Sequence, residues 1–113
     1  MTTQIRQQDG ISIVEPNGRI VGSSASELRK AIAPQIEAYD EPRILINFEK
    51  VHRIDSIGIG VLIEAHVAAT KKKGRIGVVH VGKHIRNVIV INRLVHLFEH
   101  FDNEDTAISA LSA

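Results

Sequence analysis

Ile44, Leu45, Ile46 and Phe48 form a nearly continuous apolar run of strand length just after Pro42. A strand that is apolar on both sides cannot leave one face in water. It belongs inside a sheet covered on both faces, the usual setting of parallel strands joined by helical crossovers. The flanking segments supply the other parts. Ile11 to Val14 reads as a strand, Pro16-Asn17-Gly18 as a turn, and Arg19, Ile20 and Val21 as a second strand, so the pattern predicts an opening hairpin or tight meander. Ser24-Ala25-Ser26-Glu27 has the form of a capping box at a helix start. Leu28, Ile32, Ile36 and Tyr39 would share one face of that helix, and Pro34 should bend it near Ala33.

Beyond the apolar run, Glu49 to Arg53 reads as a polar connection and Ser56 to about Lys72 as a helix, with Ile59, Leu62, Ile63, Val67 and Ala69 available for burial. Lys71, Lys72, Lys73 and Gly74 suit a helix end, where cations complement the dipole and glycine permits a left-handed cap. Arg75 to Val81 is a further strand, Lys83 to about Asn92 a helix, and Leu97 to Phe101 a short strand. A terminal helix begins at Asn103-Glu104-Asp105 and carries Ala107, Ile108 and Leu111. The expected fold is α/β: a mixed sheet with parallel crossovers packed against about four helices. At 113 residues the chain makes one domain, 1–113, with no linker or repeat.

Composition narrows the function. Without cysteine there is no disulfide, thiolate metal site or thiol nucleophile. Tryptophan is absent and only four residues are aromatic, so stacking on nucleic-acid bases has little to use and no direct nucleic-acid partner is expected. Met1 to Gly10 is polar and no run approaches the roughly 20 apolar residues of a membrane span, so a cytoplasmic location without membrane insertion is expected. Net charge is +1 but unevenly spread: Lys50 to Arg93 holds nine Lys or Arg against two acids, Asp55 and Glu64. Such asymmetry is compatible with a basic face for a phosphate or an acidic partner, and equally with charges that folding mixes again.

Three chemical motifs fall short. His96-Leu97-Phe98-Glu99-His100 matches the H-x-x-E-H pattern of inverted zinc proteases. Its neighbours Leu97, Phe98 and Phe101 look like core and no third ligand lies nearby, so no metal and no cofactor are expected. His80 and His84 are also four apart, but Gly82 between them breaks helical spacing. Gly58 and Gly60 lack the third glycine of a dinucleotide fingerprint, Ile63 standing in its place, and no phosphate-loop sequence exists. Ser56 follows Ile54 and Asp55 rather than the glycine-flanked context of a hydrolase nucleophile, so a serine hydrolase is not expected.

What remains is Asp55-Ser56-Ile57-Gly58-Ile59-Gly60-Val61-Leu62 at a helix start. Asp55 or Ser56 would cap free N–H groups, and two glycines in a first turn cost helix propensity unless a close backbone approach requires them. The arrangement fits a tightly packed cap. It also fits an exposed hydroxyl at the positive end of a helix dipole, able to accept a phosphoryl group.

Over nearly its whole length the chain resembles the STAS domains, whose best-known soluble members are bacterial anti-sigma factor antagonists. The likeness rests on the element order, Gly18-Arg19-Ile20-Val21 before a helix carrying Leu28 and Arg29, the Ile44 to Phe48 strand, and D-S-x-G-x-G at Asp55 to Gly60. The resemblance implies that Ser56 is phosphorylated by an anti-sigma factor that is itself a serine kinase. Only the unphosphorylated antagonist then binds that partner, through Asp55, Ser56, Ile57, Gly58, Ile59 and Gly60, and frees the sigma factor. Ile57 stands where antagonists often have Ser or Thr, and Val21 where many have Asp. These departures favour the alternative, a STAS subunit docking on a membrane transporter or signalling scaffold without a phosphate cycle. Direct nucleoside-phosphate binding by the basic stretch is a third reading.

Overall fold

The computed structural model describes residues 2–113. Strand β1 (Thr2–Gln8) runs antiparallel to β2 (Ile11–Ile20), Gln8 facing Ile11 across a two-residue turn. Asp9 and Gly10 both take positive φ, 52° and 79°, the twist a two-residue hairpin needs. The hairpin therefore forms one turn earlier than the sequence pattern predicts. Pro16-Asn17-Gly18 does not reverse the chain but lies inside β2. Pro16 falls between the residues that pair with β3 (Arg43–Asn47), Ser12 to Val14, and those that pair with β4 (Val51–Ile54), Gly18 to Ile20. Its missing N–H thus falls where β2 passes from one parallel neighbour to the other.

The six-stranded sheet has the order β1-β2-β3-β5-β6, with β4 joined to the far end of β2. Strands β5 (Arg75–Val79) and β6 (Glu99–Phe101) extend it, and every pairing except β1 with β2 is parallel. Helices α1 (Ala25–Glu37), α2 (Ser56–Lys71) and α3 (Lys83–Ile91) supply Leu28, Ile32, Leu62, Ile85 and Ile89 to one apolar core, which meets Val14, Ile44 and Ile46 of the sheet. Helix α4 (Glu104–Leu111) covers the opposite face, its Ala107, Ile108 and Leu111 packing on Ile11, Ile13, Leu45 and Val79. The apolar run is thus buried from both sides, as its composition requires.

Several local expectations change. Glu49 to Arg53 is not a plain connection, because Val51–Ile54 is strand β4. Ser24 does not cap α1 through a box with Glu27; its hydroxyl instead accepts from the Val21 N–H at 3.1 Å, closing a short 3-10 turn that leads into the helix. α1 continues through Pro34, and Tyr39 lies beyond its end, exposed. Ile63 and Val67 of α2 are exposed, while Val61 and Ala65 join the core instead. After α2 it is Lys73, not Gly74, that takes the left-handed conformation, φ 59°. Gly74 is needed for space, since a Cβ there would collide with the Pro42 carbonyl oxygen. Lys72 reaches across to the Ile36 carbonyl at 2.9 Å and so satisfies the end of α1.

Candidate functional site

Because β2, β3, β4, β5 and β6 are mutually parallel, their carboxyl ends gather at one edge, where α/β sheets usually place their binding loops. Two connections at that edge are tied together. Asp55, directly after β4, has extended backbone and caps α2: its Oδ1 accepts from the Gly58 N–H at 3.0 Å. Its Oδ2 accepts from the Gly22 N–H at 2.9 Å in the turn after β2. The Asp55 N–H in turn donates to the Ile20 carbonyl at 3.3 Å. The two N–H donors, Gly58 first and Gly22 second, hold the Asp55 carboxyl below the usual carboxylate range. Gly22 was not singled out in the sequence. Its φ of 51° is the left-handed conformation that glycine favours, and a glycine directly after a strand is the available signal.

The motif residues then divide by what they touch. Gly58 is buried, and a Cβ there would sit 2.5 Å from the Ile20 carbonyl oxygen and 2.7 Å from Ile54 Cγ1. The first turn of α2 thus lies directly on the ends of β2 and β4, an approach that only glycine allows. Ile59 is 6 % exposed and anchors the same turn in the core. Gly60 is different: a Cβ there would meet nothing within 4 Å. Ser56, first residue of α2, is exposed, and Ile57 beside it is 53 % exposed. The edge therefore presents a hydroxyl, an isoleucine side chain and the bare backbone of Gly60, over a turn locked from below by Asp55, Gly58 and Ile59. Val21, half-buried, lies in the adjoining turn, with its backbone held by Ser24.

The H-x-x-E-H segment is not helical. His96 lies in a 3-10 turn, whereas Glu99 and His100 are successive residues of β6 and so point to opposite faces. Glu99 binds Arg75, with a contact of 2.8 Å, and the guanidinium lowers its pKa; His100 Nε2 lies 2.8 Å from the Val95 carbonyl oxygen. Among the described residues no group of three or more His, Asp or Glu is placed to hold a metal ion, and no helix is long and apolar enough to cross a membrane.

Solved structures share this architecture. An anti-sigma factor antagonist from Mycobacterium paratuberculosis is 28 % identical, with a TM-score of 0.86 over 99 % of this chain and 94 % of that one. The Bacillus cell fate determinant SpoIIAA in its phosphorylated form is 19 % identical, with a TM-score of 0.74 over 96 % and 98 % of the two chains. A sulfate transporter family protein from Wolinella succinogenes is 17 % identical, with a TM-score of 0.74 over 90 % and 84 %. No curated protein sequence matches the chain significantly. The STAS domain model matches residues 2–107, and with the sheet order and the Asp55-capped turn this leads to one conclusion: the chain belongs to the STAS domain family.

Proposed function

We propose that this chain is an anti-sigma factor antagonist that binds an anti-sigma factor with serine kinase activity and thereby frees a sigma factor, and that phosphorylation of Ser56 switches the binding off. The observation carrying this reading is the exposed Ser56 hydroxyl at the amino end of α2, above a turn fixed by Asp55. A phosphate there meets the positive end of the helix dipole. It does not find the Gly58 N–H free, because Asp55 already holds it. The added charge, about −1.5 to −2 at neutral pH, is tolerated by the folded domain but faces any docked partner. Beside the exposed Ile57, a desolvated phosphate weakens an apolar contact. The similarity to the Mycobacterium antagonist supports the partner class, and the phosphorylated Bacillus structure supports a phosphate cycle in a protein of this fold.

In this reading the chain is a binding module rather than an enzyme, acts in the cytoplasm, and contacts its partner through the exposed Ser56 and Ile57 and the bare backbone of Gly60 in the Asp55 to Gly60 segment, with Asp55, Gly58 and Ile59 holding that surface from below. Incubation with a cognate anti-sigma kinase and ATP should place phosphate on Ser56, located by mass spectrometry, and none on Ser56→Ala. Phosphate on another residue would overturn the assignment. A second reading, a docking subunit of a transporter or scaffold, is favoured by Val21 and the exposed Ile57 and by the fold shared with the Wolinella protein. It predicts tight binding with no phosphate transfer.

A further inference from the structure

The basic stretch of the sequence acquires a definite feature on β4. Gly18 of β2 faces Val51, whereas the next residue, Arg19, faces Arg53, so His52 is an extra residue bulged out of β4. Regular pairing would have set His52 beside Arg19 and Arg53 beside Ile20. With the bulge, Ile20 pairs with Ile54 on the core face, and Arg19 stands beside Arg53 on the opposite face. Both arginines are exposed, and strands of a ladder lie about 5 Å apart.

Among the described residues neither arginine forms an ion pair. The ion pairs there involve Arg6, Arg29, Lys50 and Arg75, not Arg19 or Arg53. Glu15, on the same face of β2, pairs with Lys50 at 3.2 Å, and the two oxygens of Asp55 accept from the Gly22 and Gly58 N–H groups rather than from either arginine. Like charges directly opposite on neighbouring strands destabilise a sheet. A bulge that creates such a pair, where regular pairing would avoid it, suits a ligand that supplies the missing charge.

We propose that Arg19 and Arg53 form a binding site for a dianionic phosphate group. Two guanidinium forks offer parallel N–H donors to its oxygens, and their summed charge matches the dianion. The group could belong to a nucleotide or to a phosphorylated side chain; the oxyanion chemistry is the same. The existence of this site does not depend on phosphorylation of Ser56.

The test is a titration of the unphosphorylated chain, without kinase, with inorganic phosphate at ionic strength held constant by chloride, following arginine side-chain N–H signals by NMR. The Arg19 and Arg53 signals should shift together and saturate in the millimolar range, while those of the ion-paired Arg29 and Arg75 stay in place. Arg19→Gln with Arg53→Gln should weaken binding by about tenfold or more, and the paired lysine substitutions, which keep charge but lose the fork, should fall between. Phosphate should also raise the melting temperature of the wild type more than that of the double glutamine variant. Parallel titrations with ATP and with O-phosphoserine separate the two sources: whichever saturates the same two arginines at lower concentration names the ligand. A linear drift shared by all arginines, or equal binding by the double variant, overturns the proposal.

Discussion

The two glycines of the D-S-x-G-x-G segment are alike in sequence and opposite in surroundings. Gly58→Ala pushes a methyl group against the Ile20 carbonyl and should destabilise the domain by about 1–3 kcal/mol. Gly60→Ala enters open space within a helix, so it should stabilise by up to about 1 kcal/mol, the propensity difference alone. Denaturant unfolding of both variants checks the contrast in sign. If Gly60 is kept for a partner's approach, Gly60→Ala should weaken binding even as the fold gains stability. Asp55 has a pH signature. Its folded pKa lies below the unfolded value of about 3.9, so its contribution is fully present above that value and is lost as pH falls through the folded one. Asp55→Asn should therefore lower stability at neutral pH and flatten the acid limb of a stability-against-pH curve; an unchanged limb would contradict its capping role. The close approach at Gly58 was legible because glycine is otherwise costly in a first turn. The tie to Gly22 was not, because it joins residues 33 apart through a side chain.

The elements the sequence concealed are those whose hydrogen bonds come from neighbours rather than from an apolar pattern. β1 reads TTQIRQQ, polar apart from Ile5, and exists by pairing along its length with β2. β4 carries His52 and Arg53 between Val51 and Ile54, and the bulge removes the alternation that would mark a strand. Asp9-Gly10 held a hairpin signal as good as Pro16-Asn17-Gly18, but the polar segment before it gave no sign of a strand. β3 and the long helices were legible because burial dictates their residues. The proline in α1 offers a test at this scale. Pro34 is exposed and lacks the N–H that would bond one turn back, yet the helix continues to Glu37. Pro34→Ala should restore that bond and stabilise the domain by about 1–3 kcal/mol in thermal or denaturant unfolding. A loss of stability would mean that the ring itself supports the packing of α1.

At the scale of the molecule, parallel strands bring loops distant in sequence to one edge, and the domain divides its labour accordingly. Two apolar cores, one beneath α1, α2 and α3 and one beneath α4, hold the sheet. The edge keeps a turn that is rigid below and bare above. In the proposed switch, that separation would let a charge at Ser56 alter what docks without altering what folds. The most direct test is calorimetric titration of an anti-sigma serine kinase with the chain in two forms, unphosphorylated and stoichiometrically phosphorylated on Ser56. Affinity should drop at least about tenfold on phosphorylation, or about 1.4 kcal/mol, with the melting temperature of the free domain essentially unmoved. Equal affinity of the two forms would contradict the switch.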